Sequence, residues 1–343
     1  MKLAFAAVAA TALAATLVTT PLGSAAKTPA FSFVGGGDIA TVGTGATTAT
    51  FAGIRRFLHG NLVMANLEGT LASGGSAKCA PYGSDGCYTF RAAPSSAHVL
   101  RAAGFTVLNV ANNHAMDFGE SAHLATLAAL RGANIAYDGL PHQITYVMAG
   151  AVKVAIIGCA PYPWAQSLLN IPGTQALVRR AKQRADMVIV YMHAGAEGAA
   201  ADHVTGKPEV FLGEQRGNPE AFAHAMIDAG ASLVFASGPH TLRGLQWFHG
   251  HVIAYSLGNL AGQDTLNMTG PTLSLSALLT LKLDAKGGFI GGRIVPLRMT
   301  GIGTPGYDPT NGAIRFLNTL SREDFGANAV RLGPTGTILP RVP

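Results

Sequence analysis

Charged side chains are scarce in this sequence. They make up 12% of its 343 residues, about half of the ~25% usual for soluble domains. The basic residues form no run and do not alternate with aromatic residues, which argues against a nucleic-acid-binding protein. Glycine, by contrast, is abundant, with 43 residues, and this suits a buried sheet joined by many tight turns. The formal net charge of +6 favours anionic partners through long-range attraction.

Cysteine is also rare, with three residues in the chain. Cys79 and Cys87 enclose a segment rich in turn-forming residues, so we predict that in an oxidising compartment they form a disulfide closing a small loop. No second Cys-x-x-Cys or His-x-x-His pair accompanies them, which argues against a zinc site. Cys159 lies in an apolar run and is predicted to be a buried thiol.

The N-terminus has the three parts of a secretory signal peptide. Lys2 precedes an uncharged apolar run, Leu3 to Val18, and small residues follow at 24–26. We predict that residues 1–26 are a signal peptide cleaved near Ala26, so that the mature protein is extracellular, periplasmic or associated with the cell envelope. An uncleaved membrane anchor is the alternative, but the apolar run is shorter than the ~20 residues of a spanning helix.

Apolar runs of strand length alternate with helical patterns along residues 31–240. This alternation indicates βαβ units and a mostly parallel sheet. The pattern then changes to two predicted β-hairpins, 245–256 and 273–296, each with a turn between its strands. We therefore predict an α/β domain over residues 27–300 that ends in an antiparallel β portion.

Two segments fall outside this strand and helix pattern. Residues 202–217 form a polar, glycine-containing insertion that we predict to be a loop or lid. Residues 301–343 are predicted to be a C-terminal tail.

Polar side chains that can bind a divalent cation follow five of the predicted strands. In an open α/β sheet, ligands bind outside the carboxyl ends of the strands, where the loops converge. Carboxylate oxygens and imidazole nitrogens at that edge suit a divalent cation, although any one such residue is more often a turn former or a helix cap. The residues are Asp38, Glu68, Asn113 with His114, His193 and His240.

These residues belong to short motifs that follow one another in a distinctive order. The motifs are Gly37-Asp38, Asn66-Leu67-Glu68-Gly69, Ala111-Asn112-Asn113-His114, a strand ending in His193, Gly238-Pro239-His240 and Tyr255-Ser256-Leu257-Gly258-Asn259. Over roughly Phe31 to Gly262 they resemble the CapA family of capsular poly-γ-glutamate proteins, which is similar to calcineurin-like metallophosphatases. The resemblance implies a four-layer α/β/β/α sandwich that holds metal at its strand ends.

The resemblance also implies roles for individual residues. Metal ligands are implied at Asp38, Glu68, Asn113, His193 and His240. His114 matches the neighbouring histidine, a candidate general acid. A divalent ion at such a site, with manganese, zinc or iron as candidates, lowers the pKa of bound water and polarises a phosphoryl or carbonyl oxygen.

Two departures from the superfamily pattern reduce the implied ligand set. Ala40 stands where the superfamily has the histidine of an early Asp-x-His motif, and the late His-x-His motif is reduced to Gly238-Pro239-His240. One ion, or a weak site, is therefore expected in place of a pair. Arg243 is predicted to pair with a carboxylate or phosphate in the cleft, with a surface salt bridge as the alternative.

Three functions remain open at this point. The first is an exported, metal-dependent hydrolase or transferase acting on poly-γ-glutamate or a related cell-surface polymer. The second is a non-catalytic subunit that binds the anionic polymer and passes it to a membrane synthase complex, and the missing superfamily histidines favour it. The third is a plain metallophosphoesterase. All three require the same polar cleft at the strand ends.

Export predicts a measurable change in mass. Protein recovered from the culture medium or the periplasm should lack the segment that ends near Ala26, because signal peptidase removes it during translocation. Intact-mass analysis of that material checks the expectation. Recovery of a full-length chain in the membrane pellet would contradict it.

Overall fold

The computed structural model describes residues 30–79, 86–263, 266 and 270–341, together with positions 1 and 4. All but those two positions of the predicted signal peptide lie outside the described residues. Within the described ranges, no helix has both the length and the apolar character needed to cross a membrane.

The larger of two main sheets is built around its first strand, β1. This strand (Phe31–Ile39) pairs in parallel with β2 (Leu62–Leu67) on one side and antiparallel with β17 (Leu275–Leu283) on the other. The spatial order is β19 (Thr304–Tyr307), β18 (Phe289–Thr300), β17 (Leu275–Leu283), β1 (Phe31–Ile39), β2 (Leu62–Leu67), β5 (Val107–Asn109) and β6 (Ala136–Asp138), with β16 (Asn259–Ala261) also paired to β1.

The second main sheet has a parallel centre and antiparallel edges. Its four central strands are mutually parallel, whereas the first and last strands in the order below run antiparallel to their neighbours. The spatial order is β14 (Leu242–Phe248), β15 (His251–Leu257), β13 (Leu233–Ser237), β10 (Met187–His193), β8 (Val152–Ala160) and β7 (Thr145–Ala149), with β9 (Gln166–Ser167) also paired to β8.

The two sheets pack face to face, and every second residue of a strand enters the core between them. In β10, Met187, Ile189 and Tyr191 belong to this core. The residues between them, Val188 and Val190, belong to the core on the opposite face of the sheet. Both faces of the strand are apolar because both are covered, as is typical of a buried parallel strand.

Helices cover the outer face of each sheet. Leu100 and Leu127 pack on the larger sheet, and Leu177 and Phe222 pack on the second. The order of layers is therefore helix, sheet, sheet, helix, which confirms the predicted α/β/β/α sandwich. The helices are α1 (Ser96–Ala103) and α2 (Gly119–Gly132) on the larger sheet, and α3 (Ile171–Lys182) and α4 (Pro219–Asp228) on the second.

The antiparallel C-terminal portion is present, but it does not form a layer of its own. The hairpin β14–β15 extends the second sheet, and the hairpin β17–β18 extends the larger one by pairing with β1. Chain that follows the parallel units thus completes both sheets and widens the core between them.

The segment predicted as a C-terminal tail also packs on the core, contrary to that prediction. After β19 the chain forms α5 (Gly312–Phe325), which contacts β14, β17 and β18. Ala313, Ile314 and Leu317 of this helix, and Val330 beyond it, are buried in the core between the sheets. An amphipathic helix placed beside two sheet edges closes that core, so the chain beyond residue 300 is part of the fold.

The polar insertion 202–217 is more ordered than a simple loop. It contains a two-stranded antiparallel sheet of β11 (Glu209–Phe211) and β12 (Glu214–Gly217). A second small sheet pairs β3 (Thr70–Leu71) with β4 (Arg91–Ala92). Both lie in connections that leave the carboxyl ends of core strands, and these connections carry Lys78 and Arg216, which line the cleft described below.

The predicted disulfide between Cys79 and Cys87 is present, with a Cα–Cα distance of 6.3 Å. This distance is within the usual range for disulfides. Cys159 is a free, buried thiol, also as predicted. The disulfide ties Lys78 and Tyr88 to one side of the cleft described below.

Candidate metal centre and adjoining cleft

Three of the predicted ligands converge between the two sheets. Asp38, Glu68 and His193 are fully buried, and each offers a ligand atom within 4.8 Å of those of the other two. Glu68 Oε1 lies 3.6 Å from His193 Nε2. These residues are 30 or more positions apart in sequence, so the fold alone brings them together.

The strand periodicity explains why these side chains face inward. In β2, Leu62 and Met64 belong to the core between the sheets, and the same alternation continues through Asn66 to Glu68. In β10 it leads from Tyr191 to His193. The inward rows of the strands are thus apolar at their amino ends and polar at their carboxyl ends.

Asp38 needs an additional device to face inward. The pairing of β1 with β2 shifts register between Gly35 and Asp38, as at a β-bulge, and the shift places Asp38 opposite the inward residue Asn66. Gly37 lies within this segment, and a Cβ there would lie 1.8 Å from the carbonyl oxygen of Gly258. Glycine is therefore required for β1 to approach the end of β15.

Asp38 is held by donors on both carboxylate oxygens. Asn66 Nδ2 donates to Oδ1 at 2.8 Å, and Ser237 Oγ also donates to Oδ1. The backbone N–H of Gly238 donates to Oδ2 at 3.0 Å. These bonds fix the orientation of the carboxylate, as expected for an oriented metal ligand.

Glu68 and His193 are different, because they carry buried polar atoms without partners. Both carboxylate oxygens of Glu68 and Nε2 of His193 have no hydrogen-bond partner among the described residues. Such buried groups are costly unless something satisfies them. A divalent cation would do so, and mixed oxygen and imidazole donors suit manganese, zinc or iron. The residues present therefore fit a metal ion.

His240 borders the same cluster. Its Nδ1 lies 3.4 Å from Asp38 Oδ2 and its Nε2 lies 3.7 Å from Glu68 Oε1. Nδ1 is also 2.9 Å from Asn259 Oδ1. The backbone of His240 has a φ of 58°, in the left-handed region that is uncommon outside glycine. A strained backbone of this kind is retained where the surrounding structure holds it in place, and such residues often lie at functional sites.

Burial and charge shift the pKa values of the cluster in different directions. Burial, reinforced by Asp38, raises the pKa of Glu68 to about 8. Burial is also the main reason that the pKa of His193 falls to about 3. For Asp38 and His240, burial acts against the charged form, but the neighbouring opposite charges outweigh it. They lower the pKa of Asp38 to about 2 and raise that of His240 to about 9. Groups with such separated pKa values mark candidate functional sites.

His114 lies beside the cluster in a separate hydrogen-bonded unit. Its Nδ1 is 2.8 Å from Oδ2 of the fully buried Asp117, and its ring stacks on Phe90 at a centroid distance of 4.2 Å. Lys78 Nζ lies 2.7 Å from the other oxygen of Asp117. Burial lowers the pKa of His114 despite the hydrogen bond to Asp117. A neutral ring that donates from Nδ1 leaves Nε2 as a proton acceptor.

Asn113 is placed next to His114 on the wall of the cleft. Its Oδ1 is buried and has no hydrogen-bond partner in the described ranges. The preceding residue has a different task, because Asn112 Nδ2 donates to the carbonyl oxygen of Leu67 at 2.8 Å and to Asn66 Oδ1 at 3.1 Å. Asn112 thus supports the loop, and Asn113 keeps a free acceptor.

Arg243 does not occupy the predicted cleft position. It is fully buried, and its two terminal nitrogens lie 3.0 and 2.8 Å from the carboxylate oxygens of Glu209. Its Nε donates to the carbonyl oxygen of Ala201 at 2.7 Å. The surface salt bridge considered as the alternative is also wrong, because the pair is buried. Arg243 anchors the insertion that carries Glu209.

Arg216 is the guanidinium that lines the cleft instead. It is 2% exposed, it pairs with Glu197, and its Nη1 donates to the Tyr162 hydroxyl at 2.8 Å. Glu197 Oε2 in turn lies 3.7 Å from His240 Nε2. The polar insertion therefore reaches His240 through Arg216 and its partner Glu197. Sequence reasoning gave Arg216 only as a possible lid residue of the insertion and did not single out Glu197.

A cleft of about 540 Å³ opens beside these groups. We define it by Lys78, Asn113, His114, Glu197, Arg216 and the stacked pair Tyr162–Trp164, whose ring centroids are 5.0 Å apart. Its volume is sufficient for several units of a linear substrate. Another cavity, of about 650 Å³, lies around Arg91 and Phe118 and is lined by a different set of residues.

A match to a known family agrees with this arrangement of residues. The family described as bacterial capsule synthesis protein PGA_cap matches residues 24–264. The chain belongs to this family. All five predicted ligands and His114 lie within the matched range, so the capsule-synthesis family and the polar strand ends coincide on the same part of the chain.

Several relatives of this chain carry related names. The PGA biosynthesis protein CapA of Bacillus subtilis is 30% identical over 48% of this chain and 44% of its own. The capsule biosynthesis protein CapA of Bacillus anthracis is 32% identical over 47% of this chain and 41% of its own. A probable polyglutamine synthesis accessory protein of Mycobacterium tuberculosis is 28% identical over 70% of this chain and 66% of its own. The matches to the two Bacillus relatives thus cover less than half of those proteins.

Similar solved structures include phosphatase-type enzymes. The 5'-nucleotidase precursor of Thermus thermophilus is 15% identical, with a TM-score of 0.44, over 84% of this chain and 58% of its own. A purple acid phosphatase from yellow lupin is 8% identical, with a TM-score of 0.39, over 84% of this chain and 55% of its own.

The raised pKa values predict that metal binding depends on pH. A divalent ion must displace the proton of Glu68, whose pKa is about 8, and that of His240, whose pKa is about 9. Affinity for Mn²⁺ should therefore rise between about pH 6 and pH 8, by roughly tenfold per unit for each proton released. Calorimetric titrations in buffers of different ionisation enthalpy measure both the affinity and the proton count.

The Glu68→Gln variant is the matched control for this titration. It keeps the size of the side chain but removes one proton from the equilibrium, so its affinity should be weaker and its pH dependence shallower. An affinity of the unmodified protein that stays constant across this range would contradict the expectation. An unchanged slope in Glu68→Gln would do the same.

Proposed function

We propose that this protein is an exported, metal-dependent member of the capsule-synthesis family that acts on poly-γ-glutamate or a related anionic cell-surface polymer. The observation that carries the proposal is the buried group of Asp38, Glu68 and His193, whose ligand atoms lie within 4.8 Å of one another. Among the described residues, the carboxylate oxygens of Glu68 and Nε2 of His193 have no hydrogen-bond partner. The signal-like N-terminus and the Cys79–Cys87 disulfide support an oxidising compartment.

A metal ion would be held by Asp38, Glu68 and His193, with Asn113 and His240 as further ligands from the surrounding loops. When bound, it would supply Lewis-acid polarisation of a carbonyl or phosphoryl oxygen and a lowered pKa for water. The hydrogen bonds on Asp38 would keep one ligand oriented for it.

His114 would move the proton. The 2.8 Å contact between its Nδ1 and Asp117 keeps the other ring nitrogen available to accept a proton and later to return it to a leaving group. Lys78 and Phe90 hold Asp117 in place through a 2.7 Å ion pair and a 2.6 Å backbone hydrogen bond. Asp117 would thus act through His114, as an orienting group does in other acid–base pairs.

The cations of the cleft are already engaged with carboxylates. Lys78 pairs with Asp117, and Arg216 pairs with Glu197. Little unpaired positive charge therefore remains on these two side chains for a polyanion. We expect polymer binding to depend on a divalent cation in the cluster, which would offset the carboxylates around it.

A non-catalytic role is the second candidate. The described residues contain one Asp/Glu/His group with metal-binding spacing, which fits a single ion better than a pair. A single ion can hold a polymer carboxylate without cleaving a bond, and the protein would then pass the polymer to a membrane synthase complex. The two roles differ in what replacement of His114 should do.

Polymer experiments separate these roles. With Mn²⁺ present, the protein should bind poly-γ-glutamate oligomers and change their length distribution, and chelation should abolish both effects. Asp38→Asn should abolish both as well. His114→Ala should keep binding but slow the reaction by about 10²–10⁴-fold, because it removes a general acid–base group. Fluorescence anisotropy measures binding, and mass spectrometry measures chain length.

His249→Ala is the control, since His249 is an exposed histidine that pairs with Asp228 on the surface. It should behave as the unmodified protein in both assays. Binding without any change in chain length would favour the non-catalytic role, and turnover of phosphoesters alone would favour a phosphoesterase. Tight polymer binding that persists after chelation would overturn the proposed dependence on metal.

A further inference from the structure

A second group of buried polar atoms lies at the ends of β5 and β6. Asn109 and Asp138 end these neighbouring strands, are paired in register, and are both fully buried. Both carboxyl oxygens of Asp138 and Oδ1 of Asn109 have no hydrogen-bond partner within the described residues. Three acceptor oxygens without donors are unexpected in a dry core, because each such atom costs free energy.

These oxygens converge on one small space opposite β8. A Cβ on Gly158 would lie 2.0 Å from Asp138 Oδ1 and 2.1 Å from Asn109 Oδ1. The glycine is therefore required, and the two oxygens are close neighbours of each other. Two facing acceptors repel each other unless a proton lies between them, and a proton on Asp138 would make one of them a donor.

Asn109 connects this group to the metal cluster. Its Nδ2 donates to Asn66 Oδ1 at 2.6 Å, and Asn66 Nδ2 donates to Asp38 Oδ1 at 2.8 Å. Asn66 accepts from Asn109 and donates to Asp38, so the orientation of its amide is coupled to both neighbours. Asn109 Nδ2 also donates to the carbonyl oxygen of Ala111 at 3.0 Å, and a donor to Asn109 Oδ1 would reinforce the direction of the chain of amides that leads to Asp38.

We propose that Asp138 is a neutral carboxylic acid whose O–H donates to Asn109 Oδ1 and so anchors the Asn109–Asn66 chain that positions Asp38. The part of this inference that concerns metal binding rests on the function proposed above. Asp138 is then a positioning residue, since it acts through two amides and does not touch the cluster.

Among the described residues, no neighbouring charge favours the ionised form of Asp138. Burial raises its pKa well above the ordinary value for aspartate. The titratable groups that sense its charge are Cys159 on β8 and Tyr191 on β10, and burial raises the pKa of both well above their ordinary values. Burial therefore favours the neutral form of all three groups.

Infrared spectroscopy of the metal-free protein tests the neutral acid directly. A protonated carboxyl group gives a C=O band distinct from that of a carboxylate. We expect such a band at neutral pH, as a desolvated acid would give, and we expect it to disappear in Asp138→Asn. The Glu68→Gln background removes the contribution of the other raised carboxyl. Absence of a band that depends on Asp138 would overturn the proposal.

Two substitutions test positioning. Asp138→Asn keeps a donor for Asn109 Oδ1, so its Mn²⁺ affinity should stay within about twofold of the unmodified protein. Asp138→Val removes the donor at similar size and should weaken Mn²⁺ binding by about tenfold, the lower range for outer-shell partners of metal ligands. Retained Mn²⁺ affinity in Asp138→Asn together with weakened affinity in Asp138→Val would show that Asp138 acts through its hydrogen bond and not through the volume that it fills. Equal affinity in a folded Val variant would overturn the proposal.

The side-chain amide signals of Asn66 and Asn109 in NMR spectra provide a readout without metal. They should keep their positions in Asp138→Asn and move in Asp138→Val, or in Asp138→Ala if the Val variant does not fold. Unmoved signals would overturn the proposal. If the unmodified protein binds no Mn²⁺, the proposed function fails, and the infrared and NMR results alone decide the role of Asp138.

Discussion

The inward rows of the strands must satisfy two conflicting requirements. Over most of their length they form the dry core between two sheets, as Met187, Ile189 and Tyr191 do in β10. At their carboxyl ends the same rows carry polar groups that water does not reach, such as His193. Because an unsatisfied polar group in such a place is costly, every polar side chain there requires a partner. The properties of the site depend on which polar groups the protein itself satisfies and which it leaves without a partner.

The polar side chains at this end of the core are of two kinds, those that the protein satisfies with hydrogen bonds and those that it leaves without a donor. Asp38 is satisfied by the protein itself, through Asn66, Ser237 and the backbone of Gly238. Glu68 has no hydrogen-bond donor among the described residues and is left with a raised pKa of about 8. A side chain of the first kind is pre-oriented, and one of the second kind is available to a ligand. Because Asp38 and Glu68 lie close together, a cation between them would meet one carboxylate that is already oriented and one that still lacks a partner.

Much of this arrangement could be predicted from the sequence. Alternation of apolar runs and helical patterns gave the α/β class, and the order of motifs gave the layers and the strand ends that carry Glu68 and His193. The helix α5 was missed because its amphipathic pattern follows a glycine-rich stretch. The strands of the two sheets against which it packs are not placed side by side by the sequence alone, so its tertiary context could not be anticipated. The ordered hairpin in the polar insertion was missed because its position also depends on parts of the fold that the sequence alone does not place beside it.

The partners within the site were harder to predict. Asn66, Asn109 and Ser237 each continue an inward row by two residues, so the period of two along each strand was a usable signal. The bulge in β1 was not predictable in this way, because it changes which face Asp38 occupies. Arg243 was assigned to the cleft from its spacing to His240, but its contact with Glu209 depends on where the insertion folds back.

The central claim is that the ends of these strands form a metal centre. Anomalous diffraction from crystals soaked in Mn²⁺, measured on both sides of the manganese absorption edge, tests it most directly. The account predicts one strong anomalous peak bounded by Asp38, Glu68 and His193, at about 2.0–2.2 Å from the ligand atoms. A map without a peak at this position, from protein that is folded and fully exposed to the ion, would contradict it.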